Sequence, residues 1–332
     1  MRNAGAPVGG VAVSLAEWTR LANTSFDVAL FSLIGAMLLG FAYQAFRHRL
    51  LSTLSRAAGI AGAAACLVAI VARGMAAGRT PWGNMYEYSL VMAFLVVVGH
   101  LTLVEWRAKV RTVAGFTYAL AVLTLAMATL FFDVGPAPLV PALNSYWRQI
   151  HVTAMITASS LLGLGCVLTM LYLVKERIER RQLARLRAQD PAPIMGGSTD
   201  VEDAPPAYAG GADEPAAADP SALPGRGGLP AAATLDRLAY RLIAFGFPVW
   251  TFGVICGAVW AQDAWGRYWG WDPKETWAFI TWVIFAGYLH ARATSGWRGR
   301  RAAVIALVGF VSLLVTYYAV NLWIAGLHSY DM

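Results

Sequence analysis

Six tryptophans lie between Trp260 and Trp282, a stretch of only 23 residues, and a charged, glycine-containing segment (266–275) runs through its middle. An indole offers a broad apolar face and one N–H donor, so several indoles together can hold a flat aromatic ligand that carries some polar groups. Apolar runs of helix length flank the stretch, and tryptophan is also typical of the membrane–water interface. These residues alone leave two interpretations open, a ligand-binding surface and an interfacial aromatic belt.

The five histidines are the second group of residues that could do chemistry. His151 and His328 lie at the ends of apolar runs, on the face where the Trp-rich stretch is expected. Two neutral imidazoles from different helices can bind a haem iron from opposite sides, while indoles hold the macrocycle. The residues alone therefore make His151 and His328 candidate iron ligands of an outer site, and interfacial side chains remain the alternative interpretation.

The other three histidines need separate interpretations. His290 lies near the far end of the apolar run after the Trp-rich stretch, roughly 20 Å from the outer pair at 1.5 Å per helical residue. It would need a second, inner haem and a further ligand, either His100 or a residue of a partner subunit. We interpret His100 itself as structural and His48, in a basic loop, as a solvated side chain.

Two short motifs beside these residues fit the start of a helix. Asp272, Pro273 and Glu275 have the spacing of an N-terminal capping box, and Asn84 and Glu87 repeat that spacing before another apolar run. We expect Asp272 to cap a helix, which does not exclude a role in binding.

Seven cations are expected on the same face as the Trp-rich stretch, and Arg148, Arg267 and Lys274 are three of them. Guanidinium and ammonium groups pair with carboxylates, and haem has two carboxylate tails. Lipid phosphates would use the same groups equally well, so both ligands stay open at this point.

The composition is that of a membrane protein. Of the 332 residues, 58% are hydrophobic and only 14% are charged, against a charged share of about 25% in soluble domains. The net charge of +7 then reflects loop asymmetry, and we expect no nucleic-acid partner. The three cysteines lie in apolar runs without a C-x-x-C pair, which argues against a thiol–disulfide enzyme or a zinc site.

Apolar runs of about 20 residues, the length of a membrane-spanning helix, recur along the chain. The sequence predicts an all-α polytopic membrane protein with about eight transmembrane helices. The predicted spans are 26–46, 57–77, 86–104, 112–132, 151–174, 239–261, 275–293 and 302–325. Residues 175–187 are polar and prone to form a helix, and residues 190–233 are too poor in large apolar side chains to fold.

Charge asymmetry predicts the orientation. Nineteen of the 26 Lys and Arg residues fall in or beside the loops that follow odd-numbered spans, so those loops are expected in the cytoplasm. Both termini and the Trp-rich loop are then outside a bacterial-type plasma membrane. We expect an outer N-terminal segment (1–25), a five-helix membrane portion (26–174), a cytoplasmic helix with a disordered linker (175–238), and a three-helix membrane portion with the Trp-rich loop (239–332).

The run from Trp265 to Trp277 (WGRYWGWDPKETW) resembles the "WWD" motif of haem-handling membrane proteins. Its surroundings resemble one branch, the CcsA/ResC-type channel subunit of System II cytochrome c synthases. The segments that carry this resemblance are 81–87, 146–151, 280–290 and 321–330, so it covers about 80–176 and 240–330. The linker is not part of the pattern.

The resemblance implies a function in cytochrome c biogenesis. Haem b would cross the membrane and be presented at an outer site, where His151 and His328 are the axial ligands, for covalent attachment to the C-x-x-C-H motifs of apocytochrome c. His290 would bind an inner haem together with a ligand from a CcsB/ResB-type partner subunit. The residues implied to hold haem are Trp265, Arg267, Trp269, Trp271, Asp272, Lys274, Trp277 and His290.

Other functions stay open beside this cytochrome c synthase. A haem exporter, or a protein that delivers haem to a chaperone, would use a similar outer site without ligase activity. Thiol-reducing proteins would be further partners of a synthase. A structural membrane protein with an aromatic belt would bind no haem at all.

Overall fold

The computed structural model describes residues 14–136, 145–189, 228–294 and 296–324, and all regular elements within these ranges are helical. The helices are α1 (Leu15–Phe46), α2 (Arg49–Ala77), α3 (Met85–Gly99), α4 (Ala114–Phe131), α5 (Tyr146–Gln189), α6 (Ala232–Trp265), α7 (Pro273–Ala293), α8 (Arg300–Leu314) and α9 (Val320–Trp323). Two π-helical segments, His100–Arg107 and Val315–Ala319, continue α3 and join α8 to α9. The predicted all-α class is confirmed.

Seven of these helical stretches are long and apolar enough to cross a membrane, and they coincide with the first six predicted spans and the eighth. The seventh predicted span is α7, a helix of 21 residues that is not among the seven. It still runs the length of the bundle. Ala278 in its first half lines a cavity at one end, and Arg292 pairs with Asp236 near the start of α6 at the other, with 2.7 Å between Nη1 and Oδ1. The multi-pass membrane character is confirmed, and the assignment of the outer face stays a prediction.

Helix α5 is the central element. It packs against α3, α4, α6 and α8, and most of its apolar part is buried. At 1.5 Å per residue its 44 residues span about 66 Å, roughly twice the ~30 Å hydrocarbon core of a bilayer. The polar segment at 175–187, predicted to be helical, is the continuation of α5 beyond this core.

Helix α6 begins at Ala232, earlier than position 239 predicted for the sixth span. Its first residue is held to α5, because the backbone N–H of Ala232 donates to a carboxylate oxygen of Glu179 at 3.2 Å. The first 13 residues, residues 190–227 of the predicted linker, and residues 325–332 with His328 lie outside the described residues.

The bundle has two ends, and we call the one that holds residues 266–272 the Trp-loop end. The starts of α3, α5 and α7 meet there with the ends of α6 and α9. Small residues allow the helices to cross closely. A Cβ added to Gly40 of α1, for example, would lie 2.6 Å from the backbone nitrogen of Gly115 in α4. Such close crossings are typical of membrane helix pairs.

Candidate functional site

An open cavity of about 190 Å³ lies at the Trp-loop end, between α3, α5, α6, α7 and α9. Its aromatic lining consists of Trp82, Tyr88, Trp260, Tyr268, Trp269 and Tyr317. Polar and charged groups converge on it from several helices: Asn84, Arg148, His151, Lys274, Glu275, Thr316 and Asn321. A cleft with an apolar lining and a few convergent polar groups is the usual form of a small-molecule site.

His151 enters this cavity from the first turns of α5. Its Nδ1 lies 2.7 Å from the carbonyl oxygen of Gly253 on α6. A carbonyl oxygen only accepts, so Nδ1 carries the proton and Nε2 of the neutral ring carries the lone pair. The imidazole also stacks on Trp260, with 6.1 Å between ring centroids and 23° between planes. A hydrogen bond that fixes the tautomer and orientation of a ring is the arrangement found at histidine metal ligands.

Two glycines on α6 make room for this imidazole. A Cβ added to Gly257 would lie 2.6 Å from Nδ1 of His151, and one added to Gly253 would lie 2.6 Å from the sulfur of Met155. Both distances are shorter than any normal contact. The four-residue spacing of Gly253 and Gly257 places them on one face of α6, as in the small-residue motifs of membrane helix pairs.

The Trp-rich stretch divides into residues that line the cavity and residues that support them. Trp260 and Trp269 line it. Trp265 packs against Trp260 at 5.1 Å between ring centroids, and the largely exposed Trp271 packs edge-on against Trp269 at 5.8 Å. Trp277 is half-buried on α7 and is not part of the cavity lining. Of the four tryptophans predicted to hold the ligand, the structure places one in the cavity wall.

The loop itself is held by the predicted capping box. The side chain of Asp272 accepts from the Lys274 backbone N–H at 3.1 Å, and Glu275 Oε2 accepts from the Asp272 N–H at 3.1 Å. Glu275 also accepts from the Gly270 N–H at 2.8 Å and lies 3.7 Å from Arg267. Capping by Asp272 is confirmed. Arg267 thus supports the loop and does not line the cavity, whereas Lys274 does line it.

On the other side of the cavity, Glu87 anchors the loop that presents Trp82. The Glu87 side chain is fully buried and lies 3.3 Å from Arg73 and 2.7 Å from Arg79. It also accepts from the Gly83 N–H at 2.7 Å. The predicted cap by Asn84 is present, since its side chain accepts from the Glu87 N–H. The predicted capping box is nevertheless incomplete. The Glu87 carboxylate interacts with Arg73, Arg79 and the Gly83 N–H and not with the backbone N–H of Asn84.

The floor of the cavity is a small hydroxyl network. The hydroxyl of Tyr88 lies 3.0 Å from Ser159 Oγ, which lies 2.8 Å from the hydroxyl of Tyr317. The two tyrosine rings are in contact, with centroids 4.7 Å apart. Tyr317 belongs to the π-helical segment before α9, and such segments recur at functional sites because they shift side chains out of helical register.

The remaining predicted ligands do not meet His151 in the described structure. His290 is exposed in the last turn of α7, near the opposite end of the bundle. His100 is fully buried against Tyr118, with 5.0 Å between ring centroids, and 4.0 Å from Glu105. The position of His328 lies outside the described residues.

Residues 82–328 match the family described as "Cytochrome C assembly protein". The chain belongs to this family. It is 40% identical to the cytochrome c biogenesis protein CcsA of Synechococcus sp. (strain JA-3-3Ab) over 336 aligned positions, which cover 96% of both proteins. It is 36% identical to CcsA of Nostoc punctiforme, over 96% of this chain and 98% of that one. The predicted family is confirmed, and its role is in cytochrome c maturation.

The fold is also similar to that of a solved structure. The cytochrome c haem lyase CcmF matches 95% of this chain with a TM-score of 0.62 and 15% sequence identity. The matched part is 49% of the lyase, so this chain spans about half its length. At this identity the likeness concerns the membrane-helical fold alone.

Sequence reasoning did not single out Trp82, Tyr88, Tyr268 or Tyr317 as lining residues. Each lies in or beside a motif that was noticed for another reason, such as the capping sequence before α3. The signal that could have found them is position. All four lie within eight residues of a predicted span end on the same expected face of the membrane, about two helical turns, so that an aromatic side chain there can reach a shared cleft.

Proposed function

We propose that the chain presents haem b at the Trp-loop cavity, with His151 as one axial ligand, for covalent attachment to apocytochrome c. Haem is the substrate of this reaction, and the cavity would be the outer site from which it is transferred. A CcsB/ResB-type subunit would assemble with the chain, and the Trp-loop end and both termini would face outward. The haem would reach this site from the cytoplasmic side, through the helix bundle.

The orientation of His151 is the single observation that carries the proposal. Its Nδ1–H is held by the carbonyl of Gly253, so the lone pair of the neutral ring is on Nε2, the nitrogen that would bind a metal. The surrounding indoles offer faces for a macrocycle, and cations line the same cavity. This donor set fits haem, because haem needs an imidazole, a flat apolar contact and partners for two carboxylates.

The family resemblance implies two further histidine ligands of haem iron. His328 would approach the iron from the side opposite His151. His290 would bind an inner haem together with a ligand of the partner subunit. An exposed imidazole on a helix of a membrane bundle is costly against lipid, which favours contact between this face of α7 and another chain.

The reaction would join two cysteine thiols of a C-x-x-C-H segment to the two vinyl groups of haem. Each S–H adds across a C=C bond, so that sulfur bonds to one carbon and the hydrogen is delivered to the other. No group leaves. The chain would contribute mainly by holding haem and the segment in reacting geometry, which raises their effective concentration. The histidine of the segment would then replace one outer ligand and release the product.

Coexpression with a CcsB/ResB-type subunit and an apocytochrome tests the proposal. After denaturing electrophoresis, haem should stay on the cytochrome, as seen by its peroxidase stain. An apocytochrome whose two motif cysteines are alanine is the matched control and should lose the stain. Haem that crosses the membrane but never becomes covalently attached would show a haem exporter or delivery protein instead.

The inner site gives a separate prediction. His290→Ala should remove about one haem per assembled complex and leave the spectrum of the outer site in place, because the two sites lie at opposite ends of the bundle. The pyridine haemochrome assay on the purified complex measures this count. His48→Ala, an exposed histidine of the α1–α2 connection, should leave the count unchanged. An unaltered count in His290→Ala would contradict an inner haem at this position.

Gly257→Ala should weaken haem binding about 10- to 100-fold, the usual effect of disturbing a group that orients a metal ligand. The new methyl group would overlap the imidazole of His151, which must turn away from the cavity. Gly287→Ala is a matched control, since a Cβ there meets nothing within 4 Å. Both changes raise helix propensity by the same amount. A difference between the two variants in haem affinity, measured by Soret titration, therefore reports the contact with His151. Equal affinities for the two variants would contradict the positioning of His151 by α6.

A further inference from the structure

A row of aromatic rings runs from the cavity down the edge of the bundle that α6 and α7 form. Trp269 of the cavity wall contacts Trp271 and Phe279, with 5.8 Å and 6.4 Å between ring centroids. Phe279 stacks on Trp282 at 6.1 Å with 7° between the ring planes, and Trp282 contacts Phe247 of α6 at 5.7 Å. We call these five residues the aromatic row. Each ring contacts the next, so the row continues the cavity wall toward the middle of the bundle.

The row reaches deeper than an aromatic belt at the membrane surface would. Trp282 lies nine residues after Pro273, the first residue of α7. This is about 14 Å of helix, close to half of the ~30 Å hydrocarbon core, whereas belt tryptophans lie at headgroup depth. The indole of Trp282 is also fixed, because its Nε1–H donates to Thr251 Oγ1 of α6 at 2.9 Å. An indole held at this depth indicates a contact other than lipid headgroups.

One side of the row is open. Trp271 is 65% exposed and Phe279 is 41% exposed, and Val283, one turn further along α7, is 47% exposed. His290 is exposed on the same face, because it follows Phe279 by eleven residues, which is close to three full turns. About 16 Å of helix separates the two side chains. The exposed face of α7 therefore connects the proposed inner ligand with the cavity.

The core beneath the cavity offers no comparable path among the described residues. The hydroxyls of Tyr88, Ser159 and Tyr317 bond to one another across the floor. Further from the Trp-loop end, Trp250 and Phe285 are fully buried, and Trp250 packs edge-on against Tyr317 with centroids 6.1 Å apart. Helices α5 and α6 enclose this core and pack closely along their length. A macrocycle could pass through it only by separating these two helices, whereas the face of α7 is already open.

We propose that haem moves between the inner site and the cavity along the exposed face of α7, with its flat face against the aromatic row. The inference rests on the proposed function, in which haem is the substrate and His290 is an inner ligand. Aromatic systems in contact prefer offset-stacked or edge-to-face arrangements, which contribute beyond the apolar area that they bury. An aliphatic side chain would cover similar area without this contribution. The row therefore favours a porphyrin over lipid chains at the edge of the bundle.

Leucine substitutions separate aromatic contact from apolar cover. In the coexpressed complex, Phe279→Leu combined with Trp282→Leu should reduce covalent haem attachment about 10-fold, as expected for losing two aromatic contacts. Inner-site haem, counted by the pyridine haemochrome assay, should be retained. Soret titration of the purified full-length variant with added haem should give the wild-type affinity of the cavity, because neither residue lines it. Phe279→Tyr combined with Trp282→Phe keeps two rings and should keep attachment.

Phe31→Leu combined with Trp106→Leu is the matched control, since both side chains are exposed on other helical segments, and it should match wild type. Thr251→Val, which removes the hydrogen bond of Trp282 but not its ring, should match wild type as well. Wild-type attachment in the leucine variant would overturn the route and leave lipid as the occupant of this face. An equal loss of cavity affinity and of attachment would also overturn it, because the row would then only support the cavity. Absence of covalent haem in the wild-type complex would instead refute the proposed function itself.

Discussion

His151→Gly is expected to lose the Soret spectrum of the Trp-loop cavity and to reduce covalent haem attachment by more than about 100-fold, since removing a metal ligand costs more than disturbing the group that orients it. The change removes the only imidazole among the described residues that line the cavity. Absorbance spectra of the purified complex and haem staining of coexpressed cytochrome measure the two effects.

Adding imidazole to the His151→Gly variant distinguishes loss of an iron ligand from loss of a structural contact. The glycine variant leaves a space beside Trp260 and Gly257 where the ring stood, and free imidazole should refill it and restore the Soret band. His48→Gly, on the exposed connection between α1 and α2, should match wild type with and without imidazole. A wild-type spectrum in His151→Gly without imidazole would refute the assignment of His151 as a ligand.

Glu87→Gln is expected to destabilise the chain by about 3–5 kcal/mol, because it removes one partner of a buried ion-pair cluster and leaves charges uncompensated. Arg73 and Arg79 would then face each other across a neutral amide. The anchor of the Gly83 backbone would weaken as well, so that the Trp82 loop no longer holds its place at the cavity. We therefore expect loss of haem affinity together with loss of stability.

The three cysteines provide the measurement, since all are buried and unbridged. A thiol-reactive dye should label them only as the chain unfolds, and heating should expose them at a lower temperature in Glu87→Gln than in wild type. Arg180→Gln, which breaks a largely exposed pair with Glu176, should shift the midpoint little, because exposed pairs contribute about 0–1 kcal/mol. Equal midpoints for the Glu87 and Arg180 variants would show that the buried cluster does not hold the loop.

Local patterns in the sequence predicted the helices well. A long apolar run must either be buried in the protein or lie in lipid. In lipid it forms a helix, because only hydrogen bonds within the helix satisfy the backbone there. The predicted spans accordingly coincide with observed helices. The cap at Asp272 was equally predictable, since its bonds join residues only three apart. The polar continuation of α5 was predicted as helix but not as part of one 44-residue element, because a change in polarity does not by itself end a helix.

The division of the Trp-rich stretch was not predictable from its residues. Trp269 lines the cavity while Trp271 and Trp277 do not, although all three belong to the same motif. Trp271 adopts a left-handed backbone conformation, with φ of 57°, that turns the chain between two indoles. A positive φ is rare for a tryptophan, and the neighbouring residue types do not predict it.

Composition, periodicity and short motifs were enough to predict the helical membrane class, the family, the clustering of tryptophans and the candidate histidines. The way in which His151 is held follows from helix packing and could not be predicted in this way. The hydrogen bond to Gly253 and the space at Gly257 join residues about a hundred positions apart, and they exist because α5 and α6 pack closely along their length. Arg148 and the Trp82 carbonyl that accepts its hydrogen bond likewise come from separate parts of the chain. A site assembled across helices depends on packing, which the linear order of residues does not reveal.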